Sequence, residues 1–210
     1  MRKGMVVFMA AAVAAAMAPQ AGRANEAEAR MAAAVSNYVG KVVKGLREVA
    51  EKNPTPKTYR DDMKAFVADT PGLFGASLID TNFVIRAVFH KRDFLAVGFD
   101  LKKVKELDYF WALMREKPAA QLSEPGHGSL IQPRLVAVRY PVLADGKLTG
   151  VVSAMLHTDD FLKGVGLDRC SAFKIICLGK PAEQKGELKG DFHEIKLELP
   201  STEWVIQFKE

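Results

Sequence analysis

LVAVRYPVLADGKLTGVVSAMLH, residues 135–157, is the stretch that decides the fold. It contains two apolar runs, 135–143 and 147–157, which are joined by Ala144, Asp145 and Gly146. An Asp-Gly pair between two such runs is a strong signal for a β-hairpin. The stretch therefore predicts two long antiparallel strands.

Further elements are predicted on both sides of this hairpin. Residues 74–79 and 83–89 read as a second hairpin, and later strands are expected at 172–178, 194–199 and 204–208. The charged stretch 180–189 is predicted to be a solvated loop. Apolar residues recur at helical spacing in 25–52, 58–69 and 101–116, and a short helix is expected at 159–164. The pattern predicts one α+β domain, in which an antiparallel sheet of five to six strands carries helices on one face.

The first 24 residues have the layout of a secretory signal peptide. Arg2 and Lys3 precede an apolar run over 6–18, and small residues lead to a predicted cleavage site after Ala24. The run is shorter than the roughly 20 residues that a membrane span requires. We therefore expect a periplasmic or secreted domain over 25–210, with N-terminal helices in 25–70 and the sheet domain in 72–210. An uncleaved N-terminal anchor is the alternative.

Charge and cysteine content limit the function classes. The net charge of +5 includes three basic residues of the predicted signal, so the rest of the chain is nearly balanced and gives no support for nucleic-acid binding. Cys170 and Cys177 would be more than about 20 Å apart along a strand, although disulfides persist outside the cytoplasm. A disulfide and two buried free thiols both remain open. The Cys and His spacing matches no haem or zinc site, so neither a metal nor a cofactor is expected.

Motifs of enzymatic catalysis are missing from the sequence. It contains four histidines, none in a helical metal-ligand pair, and it lacks a nucleophile motif and a phosphate-binding loop. Asp159 and Asp160 are adjacent at a predicted helix start, where acidic residues suit the helix dipole. We expect no enzymatic activity, and a periplasmic enzyme is the third-ranked alternative.

Several motifs occur in a characteristic order over residues 30–165. A strand ends in Ile79-Asp80, a Gly-x-Asp-Leu segment covers 98–101, and the paired strands carry Pro-Val-x-x-Asp-Gly-x-x-x-Gly-Val-Val over 141–152. An aromatic patch, Tyr109 to Trp111, lies on the central helix. In this order and spacing the chain resembles the Cache domains, which are extracellular PAS-like sensor domains.

The resemblance implies a stand-alone sensor with a PAS-like sheet. Cache domains bind small organic molecules without chemistry, in a pocket between the sheet and the central helix and loop. A membrane-bound signalling partner would then receive the signal in trans, or the domain would deliver its ligand. Amino-acid-binding members carry Arg where this chain has Leu107 and Asp where it has Met155. The resemblance therefore disfavours an amino-acid ligand, and Met155 suggests a more apolar pocket.

Candidate ligand-binding residues come from this region. Arg139 interrupts an apolar strand, and if buried it would require an anion such as a ligand carboxylate; a solvent-facing or ion-paired Arg is the alternative. Two further candidates are aromatic residues of the central helix that point in different directions, Tyr109 and Trp111. The last three are the loop histidine His127 and two residues on one face of a strand, Met155 and His157.

A second function class stays open at this point. The same fold with a filled core would be a non-sensing interaction module, in which the long N-terminal helix mediates homodimerisation or docking to a membrane partner. An apolar stripe exposed on residues 28–50 would favour that function. A polar-lined cavity behind residues 105–140 would favour ligand binding.

Overall fold

The computed structural model describes residues 18–89, 96–126 and 134–210, with side chains from residue 26 onward. It contains four α-helices, α1 Ala18–Ala50, α2 Tyr59–Asp69, α3 Asp108–Glu116 and α4 Thr158–Val165, within these ranges. Helix α1 begins before the predicted start at residue 25. Most of the apolar run of the predicted signal lies outside the described residues.

Nine strands within the described ranges form two antiparallel sheets. They are β1 Leu73–Asp80, β2 Ile85–Phe89, β3 Gln121–Leu122, β4 Leu135–Ala144, β5 Lys147–His157, β6 Ala172–Cys177, β7 Lys180–Lys185, β8 His193–Leu199 and β9 Thr202–Lys209. The order is β2-β1-β5-β4-β3 in the first sheet and β7-β6-β9-β8 in the second. Both predicted hairpins and the α+β class are confirmed.

The strands divide between two sheets, whereas we expected one sheet of five to six strands. After β5 the chain runs through α4 and a 3₁₀ turn at Leu167–Arg169, and β6 then pairs with β7 and β9 instead of joining β4 or β2. Apolar alternation identifies a strand but leaves its partner open, because every strand offers the same backbone donors and acceptors.

Helix α1 joins the two sheets through its apolar stripe. Val35, Val39, Val42, Leu46 and Val49 are all buried in one cluster with strands of both sheets. The opposite face carries exposed residues that are polar or small, including Ser36, Lys41, Lys44 and Arg47. Burial of the stripe inside the domain removes the exposed apolar surface on which the interaction-module alternative depended.

The helices lie on both faces of the first sheet, not on one. Alternation places Leu78 and Val152 in the large cluster that contains α1, and it places Ile79 and Val151 in a second cluster that contains α3. Strands β1 and β5 are therefore apolar on both faces, which is the pattern of strands covered on both sides.

Two predicted elements are wrong in detail. The stretch 180–189 contains β7. This strand lies at the edge of the second sheet and pairs only with β6, so its polar side chains remain in contact with solvent. The helix predicted over 101–116 is broken into 3₁₀ turns at Leu101–Lys103 and Lys105–Leu107 followed by α3. Val104 between the turns has an extended backbone, which interrupts the helical hydrogen bonds.

Cys170 and Cys177 are both buried free thiols.

Candidate ligand-binding site

The face of the first sheet opposite α1 carries a row of buried polar side chains. The strand register pairs Gln121 with Arg139, Arg139 with Ser153, and Ser153 with Ser77, so the row crosses four strands. All four residues are buried. Directly paired residues of neighbouring strands point to the same face of a sheet, which aligns these side chains side by side.

Helix α3 packs over one end of this face. Its apolar residues Phe110, Trp111 and Met114 follow helical spacing and form one buried side, which Leu107 extends immediately before the helix. Trp111 is 3 % exposed, and its ring stacks on that of Phe83 with centroids 4.5 Å apart. The ring belongs to the smaller apolar cluster and also borders Arg139.

The guanidinium of Arg139 lies against two aromatic rings. Its Cζ atom is 4.7 Å from the ring centroid of Phe110 and 5.3 Å from that of Trp111. Arg139 is only 6 % exposed, and its Nη1 atom has no hydrogen-bond partner within the described part of the chain. Contact with the ring faces attracts a cation but leaves its N–H groups unsatisfied.

Burial changes the protonation equilibrium of this side chain. Desolvation lowers the pKa of Arg139 to about 10, and the negative charge of Glu124 opposes part of that shift. The group remains charged at neutral pH. A buried charge without a full set of partners is costly, so this guanidinium is suited to receive an anion.

Gln121 adds a second unsatisfied group beside Arg139. Its Nε2 atom donates to the main-chain oxygen of Phe110 at 2.9 Å. Because only the amide nitrogen can donate, this contact fixes the orientation of the side chain. The Oε1 atom is buried without a partner among the described residues.

The sheet face becomes more accessible next to the polar row. The adjacent row consists of Ala137, Met155 and Gly75, of which Ala137 and Met155 are partly exposed. His157 follows along β5 and makes an edge contact with Phe74, with ring centroids 5.1 Å apart. Met155 and His157 therefore line the same face as Arg139, toward its open end.

Of the two remaining candidates, one lies away from this group and the other lies outside the described residues. Tyr109 lies on the solvent side of α3, where it is 57 % exposed and contacts Phe110 edge-on. His127 lies outside the described residues. Residues Arg139, Trp111, Met155 and His157 thus share one region, and Tyr109 does not.

Sequence reasoning did not identify Gln121, Ser77 or Ser153 as part of the site. The two serines interrupt apolar strands in the same way as Arg139, and that interruption was a usable signal. Gln121 belongs to a strand of two residues, which is too short to show alternation.

A separate pocket of about 390 Å³ lies at the opposite end of β1. Its charged lining residues, Asp80 and Arg86, form an ion pair with a shortest N···O distance of 2.6 Å. Asp80 also accepts hydrogen bonds from the main-chain nitrogens of Asn82 and Val84. This carboxylate is already satisfied by the turn that it stabilises, so the pocket is a weaker candidate than the Arg139 face.

Comparison with solved structures identifies the fold. The ligand-binding domain of the Pseudomonas fluorescens chemoreceptor CtaA, in complex with L-serine, superimposes with a TM-score of 0.63 at 16 % identity, covering 91 % of this chain and 97 % of that domain. The sensory domain of the Campylobacter jejuni chemoreceptor Tlp3, with isoleucine bound, gives 0.62 at 9 % identity, covering 92 % and 94 %. This chain has the fold of a Cache sensor domain.

An extracellular ligand-binding receptor from Desulfohalobium retbaense is similar as well. Its TM-score is 0.60 at 13 % identity, and this chain is covered over 90 % of its length but spans only 39 % of that receptor. No family model matches the chain, and no curated protein matches its sequence. At these identities the likeness concerns the Cache fold and leaves the ligand open.

Neither a metal-ligand cluster nor a membrane-spanning helix occurs among the residues that the structure describes. They contain no group of three or more His, Cys, Asp or Glu side chains arranged to hold a metal ion. Within the same ranges, no helix is both long and apolar enough to cross a membrane.

Proposed function

We propose that this chain is an exported sensor domain that binds a small organic carboxylate at Arg139 without transforming it. The observation that carries the proposal is the buried guanidinium, whose Nη1 atom has no partner among the described residues. The solved neighbours of the same fold are ligand-binding domains of chemoreceptors, which supports a binding function.

A carboxylate matches the chemistry of this site. It would accept charge-assisted hydrogen bonds from the guanidinium, each stronger than a bond between neutral groups. Burial of the charged guanidinium is costly and lowers the pKa of Arg139, and a bound carboxylate would offset that cost. The rings of Phe110 and Trp111 hold the guanidinium from the side of α3, so an incoming anion meets an oriented donor.

Binding without chemistry follows from the residues that form the polar row. Arg139 stays protonated at neutral pH, and the side-chain amide of Gln121 is not titratable. Catalysis would require a titratable pair in one cleft. The described row provides donors and acceptors for recognition, not such a pair.

Export and signalling belong to the same proposal. A signal peptide cleaved after Ala24 would release a single Cache domain over 25–210 into the periplasm or the medium. One neighbour is named as an extracellular ligand-binding receptor, which supports this location. The domain would then act on a membrane-bound partner in trans.

The interaction module remains the second candidate. The packing of Ile79, Phe83 and Val151 against α3 favours it, since these residues fill part of the space between sheet and helix. The buried stripe of α1 disfavours homodimerisation through an apolar helix face. A dimer that uses the polar face of α1 stays a prediction, which sedimentation or light scattering of the purified protein would test.

A thermal-shift screen tests the ligand-binding proposal. We expect small carboxylates, and not the matched amines or amides, to raise the melting temperature by several degrees, since a ligand at 100 times its Kd adds about 2.7 kcal/mol. The Arg139→Met variant should lose this response.

Arg115→Met provides the matched control. Arg115 is an exposed arginine of α3 whose Cζ atom lies 4.5 Å from the ring centroid of Phe83, so it contacts the same aromatic cluster from outside. This variant should respond to carboxylates like the wild type. A carboxylate response that survives in Arg139→Met would refute the assignment of the site.

A further inference from the structure

Three neighbouring side chains at the Arg139 face each carry a buried polar atom without a hydrogen-bond partner. Within the described ranges these are Nη1 of Arg139, Nε1 of Trp111 and Oε1 of Gln121. The three residues are neighbours, because Gln121 pairs with Arg139 across β3 and β4, and the guanidinium lies 5.3 Å from the ring centroid of Trp111. All three side chains are more than nine-tenths buried.

The chemistry of these atoms is mixed. Arg139 Nη1 and Trp111 Nε1 donate hydrogen bonds, whereas Gln121 Oε1 accepts them. A simple carboxylate satisfies the two donors but gives nothing to the acceptor. The glutamine cannot turn its amide nitrogen into that position, because Nε2 is held by the main-chain oxygen of Phe110.

The missing donor is best supplied by a neutral group. An ammonium group would place a second positive charge close to the buried guanidinium, and like charges repel strongly where water is excluded. Met155, which lies on the same sheet face in the adjacent row, offers no charge to hold an amine. A hydroxyl donates one hydrogen bond without adding charge.

We propose that the ligand is a small hydroxycarboxylate, whose carboxylate accepts from Arg139 and Trp111 and whose hydroxyl donates to Gln121. This inference rests on the proposed function, since it specifies the ligand class of the same site. The partly exposed row of Ala137 and Met155 then faces the carbon chain of the ligand, where its lining is apolar.

Calorimetric titration of the purified wild-type protein with two matched acid pairs tests the inference. Lactate is compared with propionate, and glycolate with acetate, because each pair differs by one hydroxyl group. We expect the hydroxy acid of each pair to bind about tenfold more tightly or better, since its analogue leaves a buried acceptor unpaired.

Two variants separate the roles of the neighbouring groups. Gln121→Leu should reduce the affinity ratio within each pair toward one, whereas Gln207→Leu, a glutamine of the second sheet, should leave the ratio unchanged. Trp111→Phe retains a ring and removes only the donor, so it should weaken both acids of a pair by a similar factor.

The outcomes distinguish the two proposals. Equal binding of the paired acids, with loss of both in Arg139→Met, overturns the hydroxycarboxylate inference and leaves carboxylate binding in place. Failure of every carboxylate to bind overturns both. If Gln121→Leu does not fold, the affinity ratio in the wild-type protein decides the matter alone.

Discussion

Arg139 is expected to destabilise the fold when no anion is bound. Burial lowers the pKa of its guanidinium to about 10, and a shift of that size corresponds to a cost on the order of 3 kcal/mol for the charged form. Cation–π contacts with Phe110 and Trp111 offset part of this cost. The residue is therefore costly for stability, and the proposed carboxylate would offset that cost.

We predict that Arg139→Met unfolds at an equal or higher urea concentration than the wild type, without ligand. An apolar side chain of similar length removes the buried charge and keeps the packing. The pKa of Arg139 is lower in the folded protein than in the unfolded chain. Between about pH 10 and the ordinary pKa of arginine, the unfolded chain therefore binds more protons than the folded protein. Wild-type stability should consequently rise relative to the variant above pH 10.

A clear loss of stability in Arg139→Met would contradict this prediction. A decrease of more than about 1 kcal/mol at neutral pH would mean that the guanidinium has a stabilising partner in the folded state. Chemical denaturation followed by circular dichroism measures the difference directly.

The residues of the site were only partly predictable. A charged residue inside an apolar strand is visible in sequence, so Arg139 could be proposed as a candidate, but the strand pattern does not tell which face is covered. Its burial depends on α3, which folds over from a distant part of the chain. Gln121 became recognisable only through its pairing with Arg139.

At the scale of single elements, helix α1 contains two glycines with opposite roles. A Cβ atom added to Gly45 would lie 2.6 Å from the Phe66 ring of α2, whereas one added to Gly40 would meet nothing within 4 Å. Gly45 thus permits the close approach of α1 and α2, and Gly40 has no such role.

We predict opposite effects for the two alanine substitutions. Gly40→Ala should stabilise the protein by about 0.5–1 kcal/mol, because alanine has the higher helix propensity. Gly45→Ala gains the same propensity but forces the buried Phe66 ring to move, so it should destabilise by about 1–3 kcal/mol. Thermal or urea unfolding compares them, and stabilisation of similar size in both variants would show that the α1–α2 contact is loose.

Long periodic elements were predictable, and short or polar ones were not. The stripe of α1 and the hairpin of β4 and β5 follow from spacing, because their burial is regular along the chain. Strand β7 is an exposed edge made mostly of polar residues, so it lacks an apolar face to reveal it. The break at Val104 arises from local backbone geometry within an otherwise helical spacing.

At the scale of the whole molecule, two apolar clusters share the first sheet. The large cluster contains α1 and strands of both sheets, and the smaller one lies between α3 and the opposite face of β1 and β5. The division into two sheets could not be predicted from the sequence, because the path of the chain after α4 determines which strands pair. The polar row lies on the face that the smaller cluster covers in part, which places the site beside a small, separate core.

Each cluster contains one of the two tryptophans of the chain. Trp111 lies beside Arg139 in the smaller cluster, and Trp204 is fully buried in the large one, where its ring packs edge-on against Phe161. A substitution of either residue by phenylalanine leaves a single fluorescent reporter in a known cluster.

Titration of the Trp204→Phe variant with lactate, followed by the fluorescence of Trp111, tests the ligand site most directly. We predict a saturable change that disappears when Arg139→Met is added, and no change in the Trp111→Phe variant, where only Trp204 reports. A fluorescence change that persists without Arg139, or that appears at Trp204 alone, would contradict carboxylate binding at this face.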